Sequence, residues 1–220
     1  MSVNGVRFPN DSNRHAIIGA TGSGKTQFGM WSLSRRSYDA MPWVIFDYKR
    51  DELIDAVDPI EIDVSELPPK HPGLYVVRPI PQVSDEAVEK ALWKIHATGR
   101  CGLYIDEGYM LPNGGAFRAI LTQGRSLRIP CITLTQRPVF ISKFVFSESE
   151  FFSVFRLTDR TDRKRVTEFV PINQNYTLSQ YSSYFFDVGT NELRKFSPVP
   201  SAEQIVERFA DRMPRKRRTL

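Results

Sequence analysis

The stretch that decides the fold is residues 15–30, which read HAIIGATGSGKTQFGM. The short apolar run AIIG is typical of a buried strand, and a glycine-rich stretch separates it from a segment with the character of a helix. This order places the unpaired N–H groups of a helix start at the end of a strand. The stretch therefore predicts an α/β fold with an anion-binding loop at this point.

The residues between that strand and that helix match G-x-x-x-x-G-K-[ST], the pattern of a phosphate-binding loop. Glycines allow consecutive N–H groups to approach an anion that side chains would block. We expect Lys25 to reach the β- and γ-phosphates of a nucleotide, and Thr26 to give its hydroxyl to Mg²⁺. The predicted nucleotide-binding residues are Gly19, Ala20, Thr21, Gly22, Ser23, Gly24, Lys25 and Thr26. The alternative is a glycine-rich turn that carries a lysine by chance.

A pair of carboxylates ends another apolar run, GLYIDE at residues 102–107. Ligands of open α/β sheets bind beyond the carboxyl ends of the strands, so the pair lies at the expected edge. Asp106 is the candidate ligand of Mg²⁺, and Glu107 the candidate general base that polarises the attacking water. The alternative is a solvated acidic turn. The second carboxylate, together with the lack of an [NT]-K-x-D stretch, favours ATP hydrolysis over a GTP switch.

Two further polar side chains are candidates for the same reaction. Gln136 ends the strand in ITLTQRP, residues 132–138, and is expected to contact the γ-phosphate or the water, unless it merely caps the strand. Arg125 follows the helical segment AFRAILTQ, and an arginine supplied by a neighbouring subunit can stabilise the charge of phosphoryl transfer. The alternative for Arg125 is an exposed surface arginine.

Composition is that of a soluble globular protein with one α/β domain. The chain has 220 residues, 41% of them hydrophobic, and a net charge of +5 that favours a nucleic-acid partner only slightly. Cys101 and Cys131 stand far apart in apolar surroundings, which indicates two buried free thiols rather than a zinc site. No run approaches the length of a membrane span, and we expect a cytoplasmic protein.

Apolar runs alternate with helical segments, which predicts a mostly parallel sheet with helices on both faces. One of these segments, SDEAVEKALWKIHATG at residues 84–99, predicts a helix with Val88, Ala91, Leu92 and Ile95 on one apolar stripe. A β-hairpin is expected in YFFDVGTNELRKF, and a last helix in SAEQIVERFADRM with Ser201 and Gln204 as a capping box. The predicted organisation is an N-terminal extension at residues 1–13, an ATPase domain at 14–211 and a basic tail at 212–220.

The chain resembles the FtsK–HerA group of RecA-like pumping ATPases. The resemblance is carried by GATGSGKT, VIFDYKRD, GLYIDE and QGRSLRIPCITLTQRP, and it covers roughly residues 14–140. A helix ending in Gly-Arg before a strand ending in Thr-Gln-Arg-Pro is typical of that group and not of P-loop proteins in general. The compact length looks most like the genome-packaging ATPases of tectivirus-like, membrane-containing viruses.

The resemblance implies a RecA-like fold, ATP and Mg²⁺ as cofactors, and a ring, usually a hexamer, that pumps double-stranded DNA. It assigns Lys25 and Thr26 to nucleotide and metal, Asp106 and Glu107 to metal and catalysis, and Gln136 to sensing. It also implies host cytoplasm or virion as the location, and a capsid vertex or portal-type protein as a partner.

The resemblance further assigns the trans arginine finger to Arg125. The following Arg128-Ile129-Pro130 departs from the family, which often has glycine and a small or apolar pair there. Arg128 is therefore the substitute candidate. Asp47 and Lys49 of VIFDYKRD face either the nucleotide edge or a neighbouring subunit, and the sequence does not distinguish the two.

Two basic segments are candidates for sequence-independent contact with DNA phosphates. The first is DRTDRKRV, with Arg163, Lys164 and Arg165, and the alternative there is a solvated helix face. The second is the tail, where the alternative is a solubilising role. Its candidate residues are Arg215, Lys216, Arg217 and Arg218.

Other functions remain open from the sequence. The same engine serves other DNA export tasks, such as filamentous-phage extrusion or conjugation. A P-loop small-molecule kinase explains GATGSGKT but leaves Glu107, Gln136 and Arg125 without a role, and DRTDRKRV is then its arginine-rich lid. A nucleotide-binding scaffold that never turns over is the remaining alternative.

Overall fold

Short, mostly apolar runs form the strands in the structure, a computed structural model that describes residues 2–3 and 6–213. The first two strands pair antiparallel in a small sheet of their own, and the other nine build one large sheet. The strands are β1 Ser2–Val3, β2 Val6–Arg7, β3 Arg14–Ile18, β4 Pro42–Asp47, β5 Ile60–Glu61, β6 Gly73–Val77, β7 Gly102–Asp106, β8 Cys131–Thr135, β9 Phe151–Val154, β10 Ser183–Asp187 and β11 Glu192–Phe196. The helices are α1 Lys25–Leu33, α2 Glu52–Ala56, α3 Asp85–Thr98, α4 Ala116–Gln123, α5 Lys143–Ser147, α6 Arg160–Thr167 and α7 Ala202–Arg212.

The strand order of the large sheet is β11-β10-β9-β3-β8-β7-β4-β6-β5. The strands from β9 to β5 in that order run parallel, and β10 and β11 extend the sheet antiparallel. The order places β8 between β3 and β7. Ile18 pairs with Thr135, and Ile105 with Thr133, so the carboxyl ends of these three strands lie at one edge of the sheet.

Both faces of the sheet are covered, which explains why its strands lack polar alternation. On β4, Trp43 and Ile45 pack into the cluster that contains side chains of α1 and α7, while Val44 and Phe46 pack into the cluster with α3 and α4. All four of these side chains are fully buried. Burial of apolar side chains, which stabilises by about 1.5–3 kcal/mol each, thus holds the helices on both faces.

The predicted elements are confirmed in type. The helix expected at residues 84–99 is α3, and its apolar stripe of Val88, Ala91, Leu92 and Ile95 is buried. The C-terminal hairpin is β10–β11, and the capping box of α7 forms as predicted. The short elements β1, β2, β5, α2 and α5 were not predicted, because elements of two to five residues carry too little periodicity to detect.

The segment before β3 packs against the antiparallel edge of the sheet. Arg7 forms an ion pair with the buried Asp187, and the ring of Phe8 contacts the rings of Phe185 and Phe196. The domain boundary after residue 13 stays a prediction. Among the described residues, none of the helices combines the length and the apolar character that crossing a bilayer requires.

Candidate functional site

The glycine-rich loop lies between the carboxyl end of β3 and the start of α1. Gly22 and Gly24 have φ values of +71° and +94°, in the left-handed region that glycine adopts without strain. A side chain at Gly19 would lie 2.6 Å from the Cβ of Phe155, so the loop also needs glycine there for close packing. Its backbone is tied to both neighbouring strands, because Gly19 N–H donates to the Thr135 carbonyl and Ala20 N–H to the Arg156 carbonyl.

Lys25, the first residue of α1, is buried and points to the carboxylate strand. Its Nζ lies 3.1 Å from Oε1 of Glu107, which follows directly after β7. Glu107 is fully buried, and its carboxylate is also held by the Lys49 ammonium and by the Gln136 N–H at 3.1 Å. Glu107 has a φ of +68°, so its backbone leaves the strand in a sharp turn. The loop lysine and the predicted general base therefore belong to one cluster.

Asp106 is the last residue of β7, and its carboxylate is buried without a hydrogen-bond donor among the described residues. Burial, together with the nearby charge of Glu107, raises the pKa of this carboxyl to about 7. An orphaned carboxylate at this depth fits a cation, since metal coordination would satisfy both oxygens. Asp106 is thus suited to hold Mg²⁺, which in nucleotide sites takes one or two carboxylates together with substrate phosphates. The contact of Thr26 with the metal stays a prediction.

Gln136 connects the loop to the carboxylates. β8, which it follows, lies beside β7 as the sequence predicts. The Thr21 hydroxyl donates to Oε1 of Gln136, and Nε2 of Gln136 donates to the Tyr109 hydroxyl at 3.1 Å. With its N–H on Glu107, Gln136 contacts both halves of the site. The sensing role expected for Gln136 stays a prediction.

Arg125 and Arg128 lie apart from this cluster. Both are exposed in the connection between the end of α4 and the start of β8, at the edge of the sheet opposite to the glycine-rich loop. Neither reaches the site of its own chain. The trans role expected for Arg125, with Arg128 as substitute, stays a prediction.

The basic side chains of α6 differ in whether they already form a hydrogen bond or an ion pair within the chain. Arg163 donates from Nε to the Leu157 carbonyl at 2.7 Å, and Arg165 pairs with Glu168 at 2.6 Å. Lys164 is exposed between them. The contact with DNA expected for all three stays a prediction, and the tail residues Arg215, Lys216, Arg217 and Arg218 lie outside the described residues.

Tyr109 was not named from the sequence, and Lys49 was left open between the nucleotide edge and a neighbouring subunit. The structure places Lys49 at the nucleotide edge, where it lines a cavity of about 940 Å³ with Thr26, Gln27 and Asp51. The sequence signal for Lys49 was its place two residues after the apolar strand PWVIFD, because such a residue lies at the carboxyl edge of the sheet, where the site is. Tyr109 gave no signal, because its contact depends on a short helical turn after Glu107.

Comparison with known proteins finds a relative that is similar in sequence and solved structures that are similar in fold. The chain is 42% identical to the DNA packaging ATPase P9 of Enterobacteria phage PRD1 over 226 residues, 98% of this chain and 99% of P9. No protein-family model matches the chain.

Among solved structures, the chain is similar to the genome packaging NTPase B204 of Sulfolobus turreted icosahedral virus 2 in complex with AMPPCP. The TM-score is 0.68 and the identity 17%, over 87% of this chain and all of B204. VirB4 of Thermoanaerobacter pseudethanolicus has a TM-score of 0.64 and 9% identity, over 87% of this chain and 90% of VirB4. At these identities the likeness shows the fold alone, and it confirms the predicted P-loop α/β class.

Proposed function

This chain belongs to the family of the DNA packaging ATPase P9, and we propose that it hydrolyses ATP to move double-stranded DNA into a viral capsid. Membership confirms the resemblance to genome-packaging ATPases that the sequence motifs indicate. It favours a packaging motor over a small-molecule kinase and over a scaffold that never turns over. We place the protein in the host cytoplasm or on the virion.

The observation that carries the proposal is the meeting of Lys25, Glu107 and Gln136 at one edge of the sheet. In this proposal Lys25 moves its ammonium from Glu107 to the β- and γ-phosphates when ATP binds, because a triphosphate carries the higher charge. Glu107 then accepts a proton from the water that attacks the γ-phosphorus, and Gln136 orients that water. The buried setting strengthens each of these contacts, since little solvent screens them.

Mg²⁺, when bound, neutralises charge on the phosphate oxygens. Thr26 and Asp106 are the residues that would hold it. Support for a bound nucleotide comes from B204, which shares this fold and has been determined with AMPPCP.

The experiment that tests the proposal is the effect of DNA length on ATP hydrolysis. We expect long duplex DNA to raise the rate of phosphate release, and short oligonucleotides to do so much less, because a motor engages a continuous phosphate backbone. The stimulation should fall as salt rises. Hydrolysis only with a small acceptor would indicate a kinase, and nucleotide binding without phosphate release would indicate a scaffold; either result would contradict the proposal.

We further propose that the motor is a ring, of hexameric type, in which Arg125 completes the neighbour's site. Arg125 lies at the sheet edge opposite to its own loop, so a head-to-tail contact is needed to bring it to a nucleotide. Such contacts close into a ring when the rotation from one subunit to the next adds up to a full turn. In this arrangement we expect Lys164 and the residues of the basic tail to contact DNA, and a vertex or portal-type protein is the expected docking partner.

Mixing two inactive variants tests the shared site. We expect Arg125→Ala and Glu107→Gln each to abolish most hydrolysis, and an equal mixture to regain activity at about one quarter of its interfaces. At those interfaces an intact Glu107 faces an intact Arg125. Arg208→Ala, at an exposed arginine of α7, is the control and should keep full activity. A mixture with no activity above its components would count against Arg125, and the same assay with Arg128→Ala decides between the two arginines.

A further inference from the structure

Lys49 reaches the site because β4 is paired with the carboxylate strand. Asp47, the last residue of β4, pairs in register with Asp106, the last residue of β7. A residue two positions beyond Asp47 therefore lies next to one just beyond Asp106. The Lys49 ammonium bonds to Oε1 of Glu107 across this gap.

The turn that carries Lys49 is held by the buried Asp47. Its Oδ1 accepts the N–H groups of Lys49 and Asp51, each at 3.2 Å, and its Oδ2 accepts from Nε of Arg78 at 3.2 Å. Asp51 in turn caps α2 by accepting the Leu53 N–H. The backbone of Lys49 is thus held by hydrogen bonds on both sides, unlike that of an ordinary surface lysine.

Two ammonium groups share one carboxylate oxygen. Lys25 lies 3.1 Å from the Oε1 that also binds Lys49, while Oε2 accepts only the Gln136 N–H among the described residues. When Lys25 moves to the phosphates, a buried Glu107 without another cation would be an unpaired charge, which is costly. Lys49 remains, because its turn is built on Asp47 and not on the phosphate loop.

We propose that Lys49 is the positioning residue of Glu107 in the nucleotide-bound chain. The proposal rests on the proposed function, since it assigns the group that holds the general base during hydrolysis. Lys49 approaches Oε1 from the side of the cavity that Thr26 also lines, and its side chain keeps about a third of its surface exposed. It anchors one carboxylate oxygen, so that the carboxylate keeps one orientation toward the attacking water.

The kinetic signature separates this role from a structural or a phosphate-binding one. In Lys49→Met we expect kcat to fall by about 10- to 100-fold, because a misplaced base is an inefficient one. The Kd for a fluorescent ATP analogue should rise, because Lys25 must then leave Glu107 without a cation when it moves to the phosphates. The thermal midpoint without nucleotide should stay close to that of the unaltered protein, because Lys25 still pairs with Glu107 there. Lys49→Arg should recover part of kcat, since it keeps the positive charge. Lys94→Met, at an exposed lysine of α3, is the matched control.

A double-mutant cycle with Glu107→Gln gives the decisive comparison. If Lys49 acts through Glu107, adding Lys49→Met to Glu107→Gln lowers kcat no further. A kcat that falls again when Lys49→Met is added to Glu107→Gln, a loss of ATP analogue affinity that persists in the Glu107→Gln background, or an unchanged kcat in Lys49→Met would each overturn the assignment. If the unaltered protein releases no phosphate at all, the proposed function itself fails. If the unaltered protein releases phosphate and Lys49→Met has the same kcat, only this inference fails.

Discussion

Glu107→Gln is expected to bind ATP at least as well as the unaltered protein and to hydrolyse it at least about 100-fold more slowly. The amide keeps the shape of the buried side chain but cannot accept a proton from water. It also no longer competes with the phosphates for the Lys25 ammonium, which lies 3.1 Å from the carboxylate before nucleotide binds. Loss of turnover should therefore come with undiminished affinity.

Single-turnover phosphate release and equilibrium binding of an ATP analogue measure the two quantities separately. Glu86→Gln is the matched control, because Glu86 is exposed on α3 and pairs only with Lys90 among the described residues. A Glu107→Gln protein with the full rate would show that another group activates the water. One that neither binds nucleotide nor keeps its thermal midpoint would assign Glu107 a purely structural role.

Lys25→Ala is expected to abolish measurable hydrolysis and to weaken ATP binding by about 10- to 100-fold. The magnitude corresponds to the loss of hydrogen bonds between an ammonium and phosphate, about 1.5–3 kcal/mol. The change also leaves Glu107 with Lys49 as its single ammonium partner in the described part of the chain. The fold should persist, because the hydrophobic clusters on both faces of the sheet do not include Lys25.

These two expectations are tested by titration with an ATP analogue and by thermal unfolding followed by circular dichroism. Lys94→Ala removes an equally long but exposed lysine and should match the unaltered protein in both. Retained hydrolysis in Lys25→Ala would contradict the assignment of the glycine-rich loop. A lowered melting temperature with normal affinity would mean that the ion pair with Glu107 serves folding alone.

Local sequence was sufficient wherever a function depends on neighbouring residues in the chain. The loop at residues 19–26 follows a strand and starts a helix, so its conformation is visible in its glycines and in the apolar runs beside it. The capping box of Ser201 and Gln204 and the buried stripe of α3 are likewise local. Pairing across the sheet was not accessible, and for that reason the place of Lys49 stayed open between two alternatives.

The sequence by itself determined the alternating fold class, the phosphate-binding loop and the carboxylate pair at a strand end, because each of these depends on residues that are adjacent in the chain. Only the tertiary structure decided that Lys25, Lys49 and the Gln136 N–H meet on Glu107, and that Asp106 is left without a donor. The physical reason is strand order: β8 and β4 flank β7, and their carboxyl ends bring together residues separated by many positions in the chain.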